Sequence, residues 1–545
     1  MSSTPGGCRG PGSRGAADVS SVAGLTLVSR ALGFLRWVVQ ATTVGAGTVA
    51  GAYATANQVP NVLYEVVVGG ALAATVVPLL ASSAQGATPE RSGRVASGLL
   101  GIVMLVLVPA AALLALAAEP IAQLLPVSVD ADAELQRQLV VSFLRMFALQ
   151  VPLYGLGVVL TGILQAHHSF IWPALAPVLS SLVVMATYGV YGQMQAGSSH
   201  TALLLLGWGT TAGVATLSLP LLIPVHQLGI RLRPTLGLAG EDRRRALSLA
   251  GAGAWTLLAQ QASVLVVLAL ARAGGTSGTV AVYQYTQAVY LLPYAVLAVP
   301  VTTVLYPRLS AAFSEEGSAA ERAHDLAARG TALVTAVACA GAAALVAVSA
   351  GAERFFNQLT DVEGMGWALV ALAPAVLGIS LVHQLTRVLF AAHGSRQAAL
   401  AASLGWLVVI AASTAAVRLL APNGGAASAT LLALSLGLSL GMLVAAGALL
   451  WLLGRYVGAA ALAPVWRCLA VCLPVAALGG YLARVVTVAI GGTWLMVLVA
   501  VLVALVAAGL VLAAGYLAQP GLFAVLGRET QATAPYKQLG EEPAR

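Results

Sequence analysis

Ser21 to Gly45 reads SVAGLTLVSRALGFLRWVVQATTVG, an apolar run interrupted by two arginines, Arg30 and Arg36. At ~1.5 Å per helical residue the run is long enough to cross a ~30 Å hydrocarbon layer. A charge at that depth costs at least ~2.5 kcal/mol, so each arginine marks a functional site by default. The surrounding chain makes both conspicuous: 8% of residues are charged against 59% hydrophobic, with a mean hydropathy of +0.90.

That apolar content exceeds what soluble domains can bury, and the fold expected is an all-α polytopic membrane protein. Barrel strands would need ~10-residue segments of alternating polarity, whereas these runs are apolar all round. About fourteen transmembrane helices are predicted, at 20–44, 51–80, 95–118, 136–163, 169–192, 201–225, 246–272, 278–306, 329–350, 365–391, 397–420, 425–453, 462–486 and 491–517.

The net charge of +8 comes largely from arginines scattered through short loops. That pattern fits membrane orientation and argues against nucleic acid as a partner. With the N-terminus in the cytoplasm, eighteen basic residues fall on the inner side and five (Arg137, Arg272, Arg354, Arg418 and Arg484) on the outer side. This bias predicts that both termini are cytoplasmic. The first 19 residues lack the apolar core of a cleavable signal peptide and read as a disordered tail, and 519–545 as a second cytoplasmic tail. Cys8, Cys339, Cys468 and Cys472 show no metal-ligand spacing.

Internal similarity organises the spans. TVVPLLASSA around Pro78 matches TVLYPRLSAAF around Pro307, and LTGILQAHH around His167 matches TRVLFAAHG around His393, at offsets of 229 and 226. Near-equal offsets predict two parallel six-helix repeats, 20–225 and 246–453, joined by a cytoplasmic linker at 226–245 and followed by two C-terminal helices within 454–518. Parallel repeats are common among alternating-access transporters, whose substrate site lies between repeats near the midplane.

Helical rise places Arg36 and Glu65 both about 22–24 Å from the cytoplasmic face, a level at which they could form an ion pair. Arg30, ~15 Å deep, has no carboxylate at its level. It either faces a wet cavity, where its planar fork suits phosphate oxygens, or caps helix carbonyls inside the bundle. Pro60 in NQVPNVLYE removes a helical hydrogen bond beside Asn57, Gln58 and Asn61, which marks a candidate gate or a structural kink. Arg145 is a further candidate for lining a cavity, as are Gln284, Tyr285, Gln287 and Tyr290 of the polar span at 278–306. GAGTVAG at 45–51 has neither the lysine of a phosphate loop nor a preceding strand, and no nucleophile–base or metal-ligand arrangement appears, so neither an enzyme nor a cofactor is expected.

Ser29 to Ala81 resembles the opening signature of the MurJ (MviN) family of bacterial lipid II flippases. The likeness rests on Ser29, Arg30, Leu32, Gly33, Phe34 and Arg36, the GAG turn, Pro60–Asn61 and Val77–Pro78. The resemblance implies export of a lipid-linked peptidoglycan precursor, lipid II, from the inner to the outer leaflet of the bacterial cytoplasmic membrane by alternating access. Implied partners are membrane lipids and cell-wall synthesis proteins. The family's cavity arginines carry over onto Arg30 and Arg36 and its cavity asparagine onto Asn61, and the two C-terminal helices would form a groove for the lipid tail. The chain departs from the family pattern at Gly51 and Gly69, where acids are common, and at Tyr64, where arginine is common. An exporter of another polyprenyl-linked saccharide and a non-transporting cell-wall scaffold remain as alternatives. A cation antiporter is poorly served by a single intramembrane carboxylate, Glu65.

Overall fold

A computed structural model describes residues 11–66, 89–194, 199–230, 232–233, 235, 240–314 and 319–527. The first repeat contains α1 (Pro11–Thr43), α2 (Thr48–Tyr64), α3 (Pro89–Leu116), α4 (Ala118–Leu124), α5 (Ala133–Phe147), α6 (Gln150–Ala166), α7 (Ile171–Met194), α8 (Ser199–Ser218) and the short α9 (Leu222–Gln227). Then come α10 (Gly240–Gly274), α11 (Thr279–Pro293), α12 (Val299–Ser314), α13 (Ala319–Asn357), α14 (Met365–Ala391), α15 (Ser395–Leu420) and α16 (Ala427–Val457). Two more long helices, α17 (Ala463–Val488) and α18 (Thr493–Ala518), close the series. No strand occurs among the described residues.

Twelve of the described helical stretches are long and apolar enough to cross a membrane. With α1 and α2, a helix lies at each of the fourteen expected positions. Helix α1 starts at Pro11, so the second half of the tail expected to be disordered is helical. Proline at a first helical position loses no bond, because that N–H has no intrahelical acceptor in any case. Expectations placed on residues 1–10, on Gly69, on Val77–Pro78, on 231, 234 and 236–239 of the 226–245 linker and on 528–545 lie outside the described residues.

Two of the segments matched in sequence end their helices in the same way. After α6, the Ser169 N–H donates to the Leu164 carbonyl at 2.8 Å and the His168 N–H to Gln165 at 3.0 Å. After α14, the Gly394 N–H donates to Leu389 at 2.7 Å and the His393 N–H to Phe390 at 3.2 Å. Both are Schellman caps, which need a left-handed residue. That residue is a histidine each time, His168 at φ 57° and His393 at φ 61°. The equivalent of His393 is therefore His168 rather than His167, and the local offset is 225 residues.

By contacts the chain forms two compact units. One comprises 1–289, 353–368 and 410–437, and the other 290–352, 369–409 and 438–545. In the first, α1 packs on α7, α2 on α5 and α6, and α7 on α8. Tyr53 of α2 is buried at this junction, its ring edge-on to Phe143, Phe147 and Tyr188 with centroids 5.5–6.2 Å away. In the second, α17 packs on α18, and Cys468, Cys472, Cys339 and small residues of α13 lie in one buried apolar cluster.

Candidate functional site

Within the first unit, Arg36 lines a cavity of about 110 Å³ together with Gln40 of α1, Tyr53 and Asn57 of α2, Tyr154 of α6, Tyr188 of α7, Thr210 of α8 and Gln284 of α11. Gln40, Tyr53 and Tyr188 are buried. A chain of polar contacts ties four helices together around the cavity. The Tyr188 hydroxyl donates to Gln40 Oε1 at 3.1 Å, the Tyr53 and Tyr188 hydroxyls lie 2.9 Å apart, and Tyr53 lies 3.0 Å from Thr210 Oγ1. Gln40 Nε2 is buried without a hydrogen-bond partner. The cavity thus offers a guanidinium and an unused amide N–H among neutral hydroxyls, a donor set suited to an anion.

The other expected site residues distribute around this centre. Asn61 accepts a hydrogen bond from the Tyr154 hydroxyl at 3.2 Å, which holds a cavity-lining ring in place. No ion pair joins Arg36 to Glu65, and Glu65 is exposed at the end of α2. Equal depth along two helices fixes level but not facing, and here the two side chains face apart. Arg30 is exposed and is not among the residues lining the cavity. Arg145 lies outside it as well, donating to Glu119 at 2.8 Å in an exposed pair. On α11 the residue at the cavity is Gln284, one turn before Gln287, and its amide donates to the Ala54 carbonyl at 3.4 Å. Pro60 lies inside α2, which continues as helix to Tyr64. The kink expected there does not break the helix.

Sequence reasoning missed the closure beside the first turns of α2 and α11. Both helices open with Gly-Thr-Val-Ala, at 47–50 and 278–281, a repeat that could have signalled paired roles. A Cβ on Gly51 would overlap the Ser277 carbonyl, and one on Gly278 would overlap the Ala46 carbonyl. Only glycine permits such backbone approach. Asp130 accepts from the Ser277 N–H at 2.8 Å and from its hydroxyl at 2.9 Å, placing a carboxylate at the start of α11. Arg272, 2% exposed, donates to the Pro126 carbonyl at 2.7 Å, to Thr55 Oγ1 at 3.2 Å and to Gln136 Oε1 at 3.1 Å. Tyr285 adds a bond to the Gly45 carbonyl at 2.7 Å. These contacts join residues of both sequence repeats on the side where loops 44–47, 125–132 and 275–278 meet.

The long apolar helices, the duplicated turns and the polar cavity define a multi-pass membrane protein with a transporter fold. Solved structures share it. "Lipid II flippase MurJ, inward closed conformation" superposes with a TM-score of 0.68 at 18% identity, covering 90% of this chain and 98% of that one. An inward-facing multidrug resistance MATE family transporter of the MOP superfamily gives 0.56 at 13% identity, covering 80% and 94%. Residues 40–517 match the family model described as lipid II flippase MurJ, and the chain belongs to that family. A probable lipid II flippase MurJ of Rhizobium meliloti (strain 1021) is 27% identical over 66% of this chain and 67% of its own length. The lipid II flippase MurJ of Burkholderia cenocepacia is 26% identical over 55% and 57%. Alignments with these relatives therefore span between about half and two thirds of their length.

Proposed function

We propose that this chain moves lipid II from the inner to the outer leaflet of the bacterial cytoplasmic membrane by alternating access, without catalysing a covalent step. Its termini lie in the cytoplasm, and the loops at 44–47, 125–132 and 275–278 face outward. Family membership across residues 40–517 supports the substrate class. The observation that carries the site is the Arg36 cavity, where a fixed cation and the unused Gln40 N–H stand among neutral hydroxyls.

In this reading Arg36 receives one phosphate of the diphosphate. Arg30 lies six residues earlier on α1, ~9 Å closer to the cytoplasm, and supplies positive charge along the approach. The contacts of Gly51, Gly278, Asp130 and Arg272 close the outward side while the substrate enters from within. Outward release requires them to part.

Depletion of the protein in cells tests the proposal. The expected result is loss of lipid II from the outer leaflet, read with a membrane-impermeant lipid II-cleaving enzyme, and its accumulation inside. Unchanged outer-leaflet lipid II after depletion would overturn it.

A further inference from the structure

A second cavity of about 410 Å³ adjoins the first, and both are lined by Tyr154 and Leu217. Its volume falls within the ~300–1,000 Å³ of typical small-molecule pockets. Tyr64, Tyr154, Pro173 and Pro177 give it flat apolar faces, and Thr161 and Gln165 give it polar edges. None of its described lining residues carries a charge. The tyrosine rings lie 4.7 Å apart at a 45° tilt, and the Tyr154 hydroxyl is fixed by Asn61. This pair is a preformed aromatic platform that needs little ordering when a ligand arrives.

We propose that this cavity is a saccharide subsite, taking the amino sugar attached directly to the diphosphate while the adjoining phosphate sits at Arg36. A pyranose carries apolar C–H faces bounded by hydroxyl and amide groups, which matches ring faces bounded by Gln165 and Thr161. A second phosphate would find no cation among the described lining residues. A prenyl segment would bury Gln165, Thr161 and the Tyr64 hydroxyl against hydrocarbon, at a cost of about 1–3 kcal/mol for each group left unsatisfied. Continuity through Tyr154 sets the direction of binding: the sugar side of the diphosphate enters between α2, α6 and α7, and the lipid side points away. This inference rests on the reading of Arg36 as a phosphate contact.

The test measures binding of two synthetic ligands to the purified full-length protein in detergent: a short-chain prenyl diphosphate, and the same diphosphate bearing one N-acetylated amino sugar. The parent protein is expected to bind the sugar-bearing ligand about tenfold more tightly. In Tyr64→Leu that preference is expected to fall to near one, and Tyr64→Phe, which keeps the ring, should retain most of it. Arg36→Gln should weaken both ligands together by tenfold or more. Absence of a sugar preference in the parent, or a preference that survives Tyr64→Leu, overturns the saccharide subsite. So does a Tyr64→Leu loss confined to the prenyl diphosphate, which would make the cavity a prenyl site. If Arg36→Gln weakens neither ligand, the phosphate assignment fails while the sugar preference is still read separately.

Discussion

The backbone contact at Gly278 yields a sharp prediction. In Gly278→Ala the new methyl group would overlap the Ala46 carbonyl oxygen and lie 2.5 Å from its carbon, with the Ala46 Cα at 3.4 Å. These are backbone atoms, so no rotamer change relieves the clash and the turn before α2 must move away from the turn before α11. Overpacking of this kind costs about 1–3 kcal/mol. Charged against the side proposed to be closed outward, that amounts to a roughly 5- to 150-fold shift toward the state in which this contact is open. Movement would also stretch the Thr48–Ser277 hydroxyl pair at 3.3 Å and the Tyr285–Gly45 bond at 2.7 Å. The reporter is Asn57→Cys, a position lining the Arg36 cavity, in a protein whose Cys8 is serine and whose Cys339, Cys468 and Cys472 are buried. A membrane-impermeant maleimide added outside intact cells should label it several-fold faster when Gly278 is alanine, and outer-leaflet lipid II should fall. Equal labelling rates with and without the substitution would refute the proposed role of this contact.

Other substitutions separate the roles of the remaining polar groups. Tyr53→Phe keeps the ring packed on Phe143 and Phe147 but loses contacts to Tyr188 and Thr210, so it should lower stability by about 1–3 kcal/mol, read as a reduced midpoint of thermal unfolding in detergent. Arg272→Met leaves the Pro126 carbonyl without its side-chain donor and the Gln136 amide oxygen with only the Ser128 N–H, and should speed outside labelling of the same Asn57→Cys reporter in the manner of Gly278→Ala. Arg145→Ala breaks only an exposed pair, 55% and 63% accessible, and should cost under about 1 kcal/mol with lipid II export at the parental rate. A strong export defect there would return Arg145 to the cavity.

Hydropathy located the helices because a bilayer requires long apolar runs, and α14 spans Met365–Ala391 as its composition predicts. The same measure loses sight of helix once the chain leaves the hydrocarbon. Helix α13 starts at Ala319, ten residues before the expected span, because AAERAHDLAARG is polar but contains only good or neutral helix formers until its single glycine. Within the site, Arg36 is legible as a charge at membrane depth, but equal depth gives it a partner in Glu65 and leaves Arg30 as the unpaired candidate; the cavity is lined by Arg36 and not by Arg30. The surroundings of Arg36 were not legible, since Gln40, Tyr53, Tyr188 and Thr210 come from four helices and no local periodicity links them. The Glu65 pairing that the structure does not show, and the failure to tell Gln284 from Gln287 on one polar helix, have one cause. Rise along a helix can be computed from sequence, but the direction a residue faces depends on tertiary packing.

Gly51 shows how a departure from the family pattern can be absorbed. Glycine there leaves the space that the Ser277 carbonyl occupies. A carboxylate is nevertheless present at this junction, supplied by Asp130 from the loop after α4, which accepts both the N–H and the hydroxyl of Ser277. Asp130 thereby sets an anion beside the N-terminus of α11. Arg272 supplies the opposite charge nearby but bonds only neutral acceptors in Pro126, Thr55 and Gln136. Held by glycine contact and by hydrogen bonds from a cation to neutral groups, this junction contains no buried ion pair among the described residues. Each bond to a neutral acceptor is worth less than a desolvated ion pair, and water can replace it as the helices part. For a transporter that must open this side once per cycle, such a junction keeps the closed state populated without making the opening step prohibitive.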